Sequence, residues 1–230
     1  RVKMKVRGIV RITGGKLLSG DQEREIAPSI ISTDSRIIKR GEVFLGLSGK
    51  SFCGEDFVTA AFEKGAIGAI AKKFPPGIKN SKRIAIKVKD GIKALQSIAI
   101  YHRSKFKMPV VAVTGINGKT TVKEMIWMIL STKYDVLKNE GTKNNHIGVP
   151  QTLLKLKDRH KACVLELGAN HKGEIRDLSN IARPTIAVIT NIGPSHLEFF
   201  ASPEAVYEAK KEILEFLDKR GVVIVNGDDN

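Results

Sequence analysis

The segment PVVAVTGINGKTTVKEMIWMIL, residues 109–130, constrains the fold of this chain more than any other stretch. Pro109 to Val113 is a short apolar, β-branched run of the kind buried in parallel sheets. Gly115, Asn117 and Gly118 then supply a tight turn in which backbone N–H groups converge on one concavity. From Lys119 the spacing becomes helical, with Val122, Met125, Ile126, Ile129 and Leu130 on one face. Strand, glycine turn, Gly-Lys-Thr-Thr and helix put a helix N-terminus, a lysine and hydroxyls around a polyphosphate. One position departs from the strict phosphate-loop pattern: Val113 stands where a glycine is usual, five residues ahead of Gly118. The expected nucleotide contacts are Thr114, Gly115, Asn117, Gly118, Lys119, Thr120 and Thr121, with the Thr120 hydroxyl placed to ligate Mg²⁺ on the phosphates.

The rest of the second half repeats this beat. Strands are expected at 109–114, 134–138, 162–167, 185–190 and 222–226, with helices near 118–131, 146–156, 173–182 and 203–219. Such alternation predicts a mainly parallel sheet covered on both faces, with sites at the carboxyl ends of the strands. The polar stretches 114–121, 139–145, 166–171 and 191–198 all fall there. Residues 1–106 read as a smaller, first α/β domain. It has strands at 43–47, 67–71 and 84–88 and helices at 56–64 and 92–104, and the boundary lies near Phe106.

Composition narrows the function classes. The 39 Lys and Arg against 24 Asp and Glu give a formal charge of +15. The lysines are scattered and aromatics make up only 6%, so the pattern favours a lysine-rich surface facing anionic small substrates over nucleic-acid binding. No apolar run approaches the length of a membrane span, and the charged start RVKMKVRGIV is unlike a signal peptide. Cys53 and Cys163 do not suggest a disulfide framework, and a cytoplasmic location is expected.

Three further residues carry chemistry. Glu166 sits at the end of the apolar strand ACVLELG; a cap or salt bridge is the ordinary role there, while a strand-end carboxylate facing a phosphate loop favours metal ligation. His196 follows a strand and the turn NIGPS, where a histidine by itself is most often structural. Ser202-Pro203 marks a helix start. At about 100° per residue from Val206, Lys210 falls at about 40°, inside the apolar sector, and Lys211 at about 140°, outside it. A lysine on a packed face must find a partner, lose its proton, be modified, or snorkel to the rim.

Taken together, these blocks resemble the Mur ligases, which build the peptide of bacterial cell-wall precursors with ATP. TGINGKTT resembles the family's ATP loop, and ELGAN, NIGPSHLEFF and YEAKKEI match later blocks in order and spacing. KNNHIGVPQTLL and VLELGANHKGEI are most similar to the member that adds D-alanyl-D-alanine, ahead of the member that adds the preceding amino acid. STDSRIIKRGEVFLGLSGKSFCGEDF resembles the amino-terminal block that holds the uridine nucleotide sugar, although Cys53-Gly54-Glu55 stands where Asp-Gly-His is frequent. The resemblance implies a small N-terminal α/β nucleotide-sugar domain, 1–106, and a central ATP-binding domain, 107–230, short of the adenine-contacting segment and C-terminal domain. It implies that Lys119 holds the β- and γ-phosphates and that Thr120 and Glu166 bind one Mg²⁺. A second Mg²⁺ falls to His196 and to Lys210 carrying a CO₂-derived carbamate. Thr33, Ser35 and Arg36 are implied on the uridine-nucleotide side, Asn144 and Asn145 on the substrate side. The implied partners are UDP-N-acetylmuramoyl-tripeptide and D-alanyl-D-alanine, without nucleic acid or membrane insertion, for a protein taken as a monomer. A nucleotide-dependent switch without ligase chemistry is the rival from another class, and the ordered set Glu166, His196 and Lys210 argues against it.

Overall fold

The computed structural model describes residues 2–49, 53–193 and 203–228, and the chain divides into two compact units, Arg1–His102 and Arg103–Asn230. In the first, β1 (Met4–Lys5), α1 (Val6–Thr13), β2 (Lys16–Ser19), β3 (Glu25–Ile26) and β4 (Ile31–Ser32) precede β5 (Val43–Leu45), α2 (Val58–Glu63), β6 (Gly68–Ala71), β7 (Ile84–Lys87) and α3 (Gly91–Arg103). Five strands form a sheet in the order β2-β7-β6-β5-β4, parallel except for β2, which runs antiparallel to β7. β1 and β3 pair separately. Residues 2–32 hold elements not expected from the sequence; the strands among them, two to four residues long, are too short to show alternation. The expected helix at 56–64 opens instead as a 3₁₀ turn over Gly54–Phe57.

The second unit runs β8 (Val110–Thr114), α4 (Lys119–Ser131), β9 (Val136–Lys138), α5 (Gly148–Leu153), β10 (Ala162–Glu166), α6 (Glu174–Ala182), β11 (Ile186–Ile189), α7 (Pro203–Lys211) and β12 (Val222–Val225). Its sheet has the order β12-β11-β8-β10-β9, and every pairing is parallel. The expected α/β class with a mainly parallel sheet is therefore observed. β8 and β10 are buried along their whole length, as continuous apolar runs between helices should be. Among the expected helices, α5 starts only after Asn145 takes the Ile147 and Gly148 N–H groups, and α7 tightens to a 3₁₀ turn at Glu212–Leu214. Both cysteines are free thiols, Cys163 buried in β10 and Cys53 exposed.

One reading of a helix face is corrected. Val122, Ile126 and Leu130 pack with Trp127 on Val111, Val113, Val164 and Val188, but Met125 and Ile129 are 57% and 69% exposed. The buried sector of α4 is centred between Val122, Ile126 and Leu130 on one side and Lys123 and Trp127 on the other. Met125 and Ile129 lie about 90° or more from that centre. Counting only apolar residues shifts the sector, because a fully buried lysine, Lys123, belongs to it.

Candidate functional site

β8 is the middle strand of its sheet, with β10 on one side and β11 on the other, so the loop after it opens where the crossovers diverge. The loop is stiffened from β11. The Asn191 side-chain oxygen accepts from the Ile116 and Asn117 N–H groups at 3.1 and 2.9 Å, and the Thr190 hydroxyl donates to the Asn117 carbonyl at 2.6 Å. Gly115 has φ +139°, and a Cβ there would lie 2.1 Å from Thr190 Oγ1, so conformation and space both require glycine. Gly118 takes φ +75° directly before α4. The first intrahelical bond runs from the Val122 N–H to the Gly118 carbonyl at 2.8 Å. The N–H groups of Lys119, Thr120 and Thr121 precede it and face out of the helix end, an anion site by construction.

Around this end the structure gathers residues that are distant in sequence. The Thr120 hydroxyl donates to Glu166 Oε2 at 2.7 Å, and Asn144 Nδ2 donates to Glu166 Oε1 at 2.8 Å. Glu166 is buried, so its carboxylate is held by partners on both oxygens. Lys119 Nζ donates to the Ile116 carbonyl at 2.5 Å, and burial lowers its pKa against the opposing charge of Glu166. Lys210 is 4% exposed on the packed face of α7 with Val206 and Ala209, followed by buried Ile213 in the 3₁₀ turn. Burial above all, then the Lys119 charge, bring its pKa down to about 8, while Glu174 and Glu212 partly offset the shift. Lys211 points to solvent and pairs with Glu208 at 3.5 Å.

Other expected site residues have different surroundings. Thr114 is fully buried and its hydroxyl donates to the Leu167 carbonyl at 3.0 Å, tying β8 to the end of β10. Asn145 accepts from the Ile147 and Gly148 N–H groups where α5 begins. In the first unit Arg36, 86% exposed, makes a two-point contact with Asp34 at 2.9 and 2.7 Å, and Lys64 donates to the Ser35 and Arg36 carbonyls at 3.0 Å each. These contacts order the turn that also contains Thr33. In the same unit the Ser48 hydroxyl donates to the Glu55 carboxylate, so the residue at the family's frequent histidine position is anchored within its own loop. His196 and Ser202 lie outside the described residues.

A magnesium ion fits the oxygen donors at the loop. A hydroxyl and a carboxylate in contact are hard ligands, and Mg²⁺ takes few protein groups while keeping water and phosphate oxygens. Among the described residues no three His, Cys, Asp or Glu side chains converge as a closed metal cage. Four residues of this region are missed by sequence reasoning as individuals: Lys123, Asn139, Thr190 and Asn191. Asn139 and Asn191 do fall in polar stretches at strand ends, whereas Lys123 is concealed within an otherwise apolar helix face.

Comparison with known proteins follows the same division. Residues 113–230 match the Mur ligase middle domain, and residues 28–103 match the Mur ligase family, catalytic domain. A UDP-N-acetylmuramoyl-tripeptide–D-alanyl-D-alanine ligase of Bacillus subtilis is 39% identical over 228 residues, 99% of this chain and 50% of the relative. A crystal structure of MurF from Acinetobacter baumannii superposes with a TM-score of 0.89 at 35% identity, covering 100% of this chain and 50% of that one. MurF ligase from Thermotoga maritima in complex with ADP gives 0.79 at 34% identity, over 86% of this chain and 46% of that one. The chain spans about half the length of the curated relatives it matches.

Proposed function

The chain belongs to the Mur ligase family, and on that premise we propose that it is the amino-terminal and central part of an ATP-dependent ligase. That enzyme joins D-alanyl-D-alanine to a UDP-N-acetylmuramoyl-tripeptide in peptidoglycan precursor synthesis. The observation that carries the proposal is the meeting of Thr120 and Glu166 at 2.7 Å on the open end of α4, beside Lys119. In this reading the Thr114–Thr121 loop holds ATP, with backbone N–H groups and Lys119 on the phosphates. Thr120 and Glu166 would hold one Mg²⁺, and His196 with carbamylated Lys210 a second; the ions would supply charge neutralisation on the transferring phosphoryl group. The substrate carboxylate attacks the γ-phosphate, ADP leaves, and the dipeptide amine then attacks the acyl phosphate and expels phosphate. None of the chain's own side chains is needed as a nucleophile, because ATP supplies the activation. Residues 1–106 would hold the uridine nucleotide, with Thr33, Ser35 and Arg36 on that side, and Asn144 and Asn145 would face the substrate peptide. Relatives of the stated name and the similarity to MurF with bound ADP support the reading.

The test uses the full-length protein with ATP, Mg²⁺, the nucleotide-tripeptide and D-alanyl-D-alanine. Phosphate release that requires both the tripeptide and the dipeptide is the expected result. Turnover with a nucleotide-dipeptide and a single diamino acid would instead assign the preceding step. ATP binding without turnover on either pair would overturn the ligase reading.

A further inference from the structure

Asn139 leaves β9 where the ladder to β10 stops. Backbone pairing of the two strands ends with Lys138 opposite Val164. The Asn139 side-chain amide then continues the ladder alone: the Glu166 N–H donates to its Oδ1 at 2.9 Å, and its Nδ2 donates to the Glu166 carbonyl at 2.9 Å. Nδ2 also donates to the Lys143 carbonyl at 2.9 Å. Two carbonyls facing the nitrogen and one N–H facing the oxygen permit a single orientation of the amide. Asn139 is fully buried, and its own carbonyl accepts from Lys123 Nζ at 3.0 Å. Lys123 is equally buried and lies 3.0 Å from Glu124, whose other oxygen meets Lys138 at 2.5 Å.

A buried lysine and a buried amide are costly to desolvate, so a network of them persists only when each member is satisfied. This network is satisfied, and it converges on one residue: both the N–H and the C=O of Glu166 are held. The side chain they carry reaches Thr120 and Asn144. We infer that Asn139 is a positioning residue for the Glu166 carboxylate and that Lys123, from inside α4, locks Asn139 in place. Lys123 and Thr120 stand one turn apart on the same helix, so the brace ties the strand that bears the carboxylate to the helix that bears the hydroxyl. The inference rests on the reading of Glu166 as a magnesium ligand.

The experiment measures ADP affinity of the full-length protein by calorimetry, with and without Mg²⁺, alongside the melting temperature. Groups that orient a metal ligand are typically worth about 10–100-fold in metal affinity. Asn139→Ala is therefore expected to cut the Mg²⁺-dependent gain in ADP affinity by about tenfold or more, leaving metal-free ADP binding within about twofold. Lys123→Met, which keeps the amide and removes its lock, should lose a smaller part of the same gain, and it carries the test if Asn139→Ala does not fold. Glu166→Gln separates the two ideas. If it retains the full Mg²⁺ gain, the ligand reading fails. If it loses the gain while the folded Asn139 and Lys123 variants keep it, the positioning role fails and the ligand reading stands. An Asn139 side-chain amide that exchanges freely with solvent in the unaltered protein, followed by asparagine-selective NMR, would overturn the brace without any variant.

Discussion

Lys210 and Lys211 are neighbours on one helix with opposite surroundings. Lys210 lies in the packed face with its pKa brought down to about 8, chiefly by burial and then by Lys119; Lys211 is exposed and paired with Glu208. A carbamate forms on an unprotonated amine, so only Lys210 has the surroundings that favour it. In the full-length enzyme Lys210→Ala should lower turnover on the order of 100-fold, with partial recovery on adding small carboxylates, and Lys211→Ala should stay within about twofold. An inactive Lys211→Ala enzyme would reverse the assignment. The Asp34–Arg36 pair makes a second residue-scale prediction. The Arg36 side chain, then its backbone N–H, holds Asp34 at about 2 instead of 3.8. A depressed carboxylate contributes stability that is fully present above its unfolded pKa and is lost as pH falls through the folded one. The turn should thus remain paired at pH 4, its contribution to stability declining as pH falls from about 3.8 and the pair itself opening only around pH 2. The Asp34 carboxyl carbon followed by NMR should titrate near 2; a midpoint near 4 would mean that the pair is not formed in solution.

At the scale of elements, the phosphate loop depends on a strand it is not joined to. Thr190 and Asn191 at the end of β11 hold the Ile116–Asn117 backbone, and Gly115 passes so close that no Cβ fits. Gly115→Ala should therefore cost about 1–3 kcal/mol of local strain and displace the loop. Calorimetry should show at least tenfold weaker ADP binding with the sheet intact by circular dichroism, and unchanged affinity would show that the loop has room to adapt. The β8–loop–α4 unit was legible in the sequence because its signals are local: a β-branched run, three turn residues and a helical repeat. Its support was not, since Thr190 and Asn191 reach the loop through a sheet pairing across 73 to 75 residues. The burial of Lys210 was legible from helical phase. That of Lys123 was not, because an apolar count excludes a lysine even where a backbone carbonyl satisfies it. For Asn145 and Arg36 motif position suggested substrate contacts, and the partners it did not reveal are a helix end and a neighbouring aspartate.

For the whole molecule, each unit closes a core of its own. In the first, Ile38, Phe44, Val58, Ala61 and Phe62 pack together; in the second, Val111, Val113, Val164 and Val188 do. A ligand stabilises the elements that its site is built on, by an amount set by its concentration relative to its Kd, about 2.7 kcal/mol at 100 times Kd. Because the phosphate loop, Glu166 and Lys210 all belong to residues 103–230, ADP with Mg²⁺ at that excess should slow opening of β8, β10 and β11 by about 100-fold. Amides of β5, β6 and β7 in the first unit should change by less than about twofold. The uridine nucleotide substrate should produce the converse pattern, with protection in β5 to β7. Hydrogen exchange on the full-length protein reads both experiments at once. Protection by ADP spread evenly over the two sheets would show that they open as one cooperative body, and protection by ADP confined to the first unit would remove the nucleotide site from the Thr114–Thr121 loop.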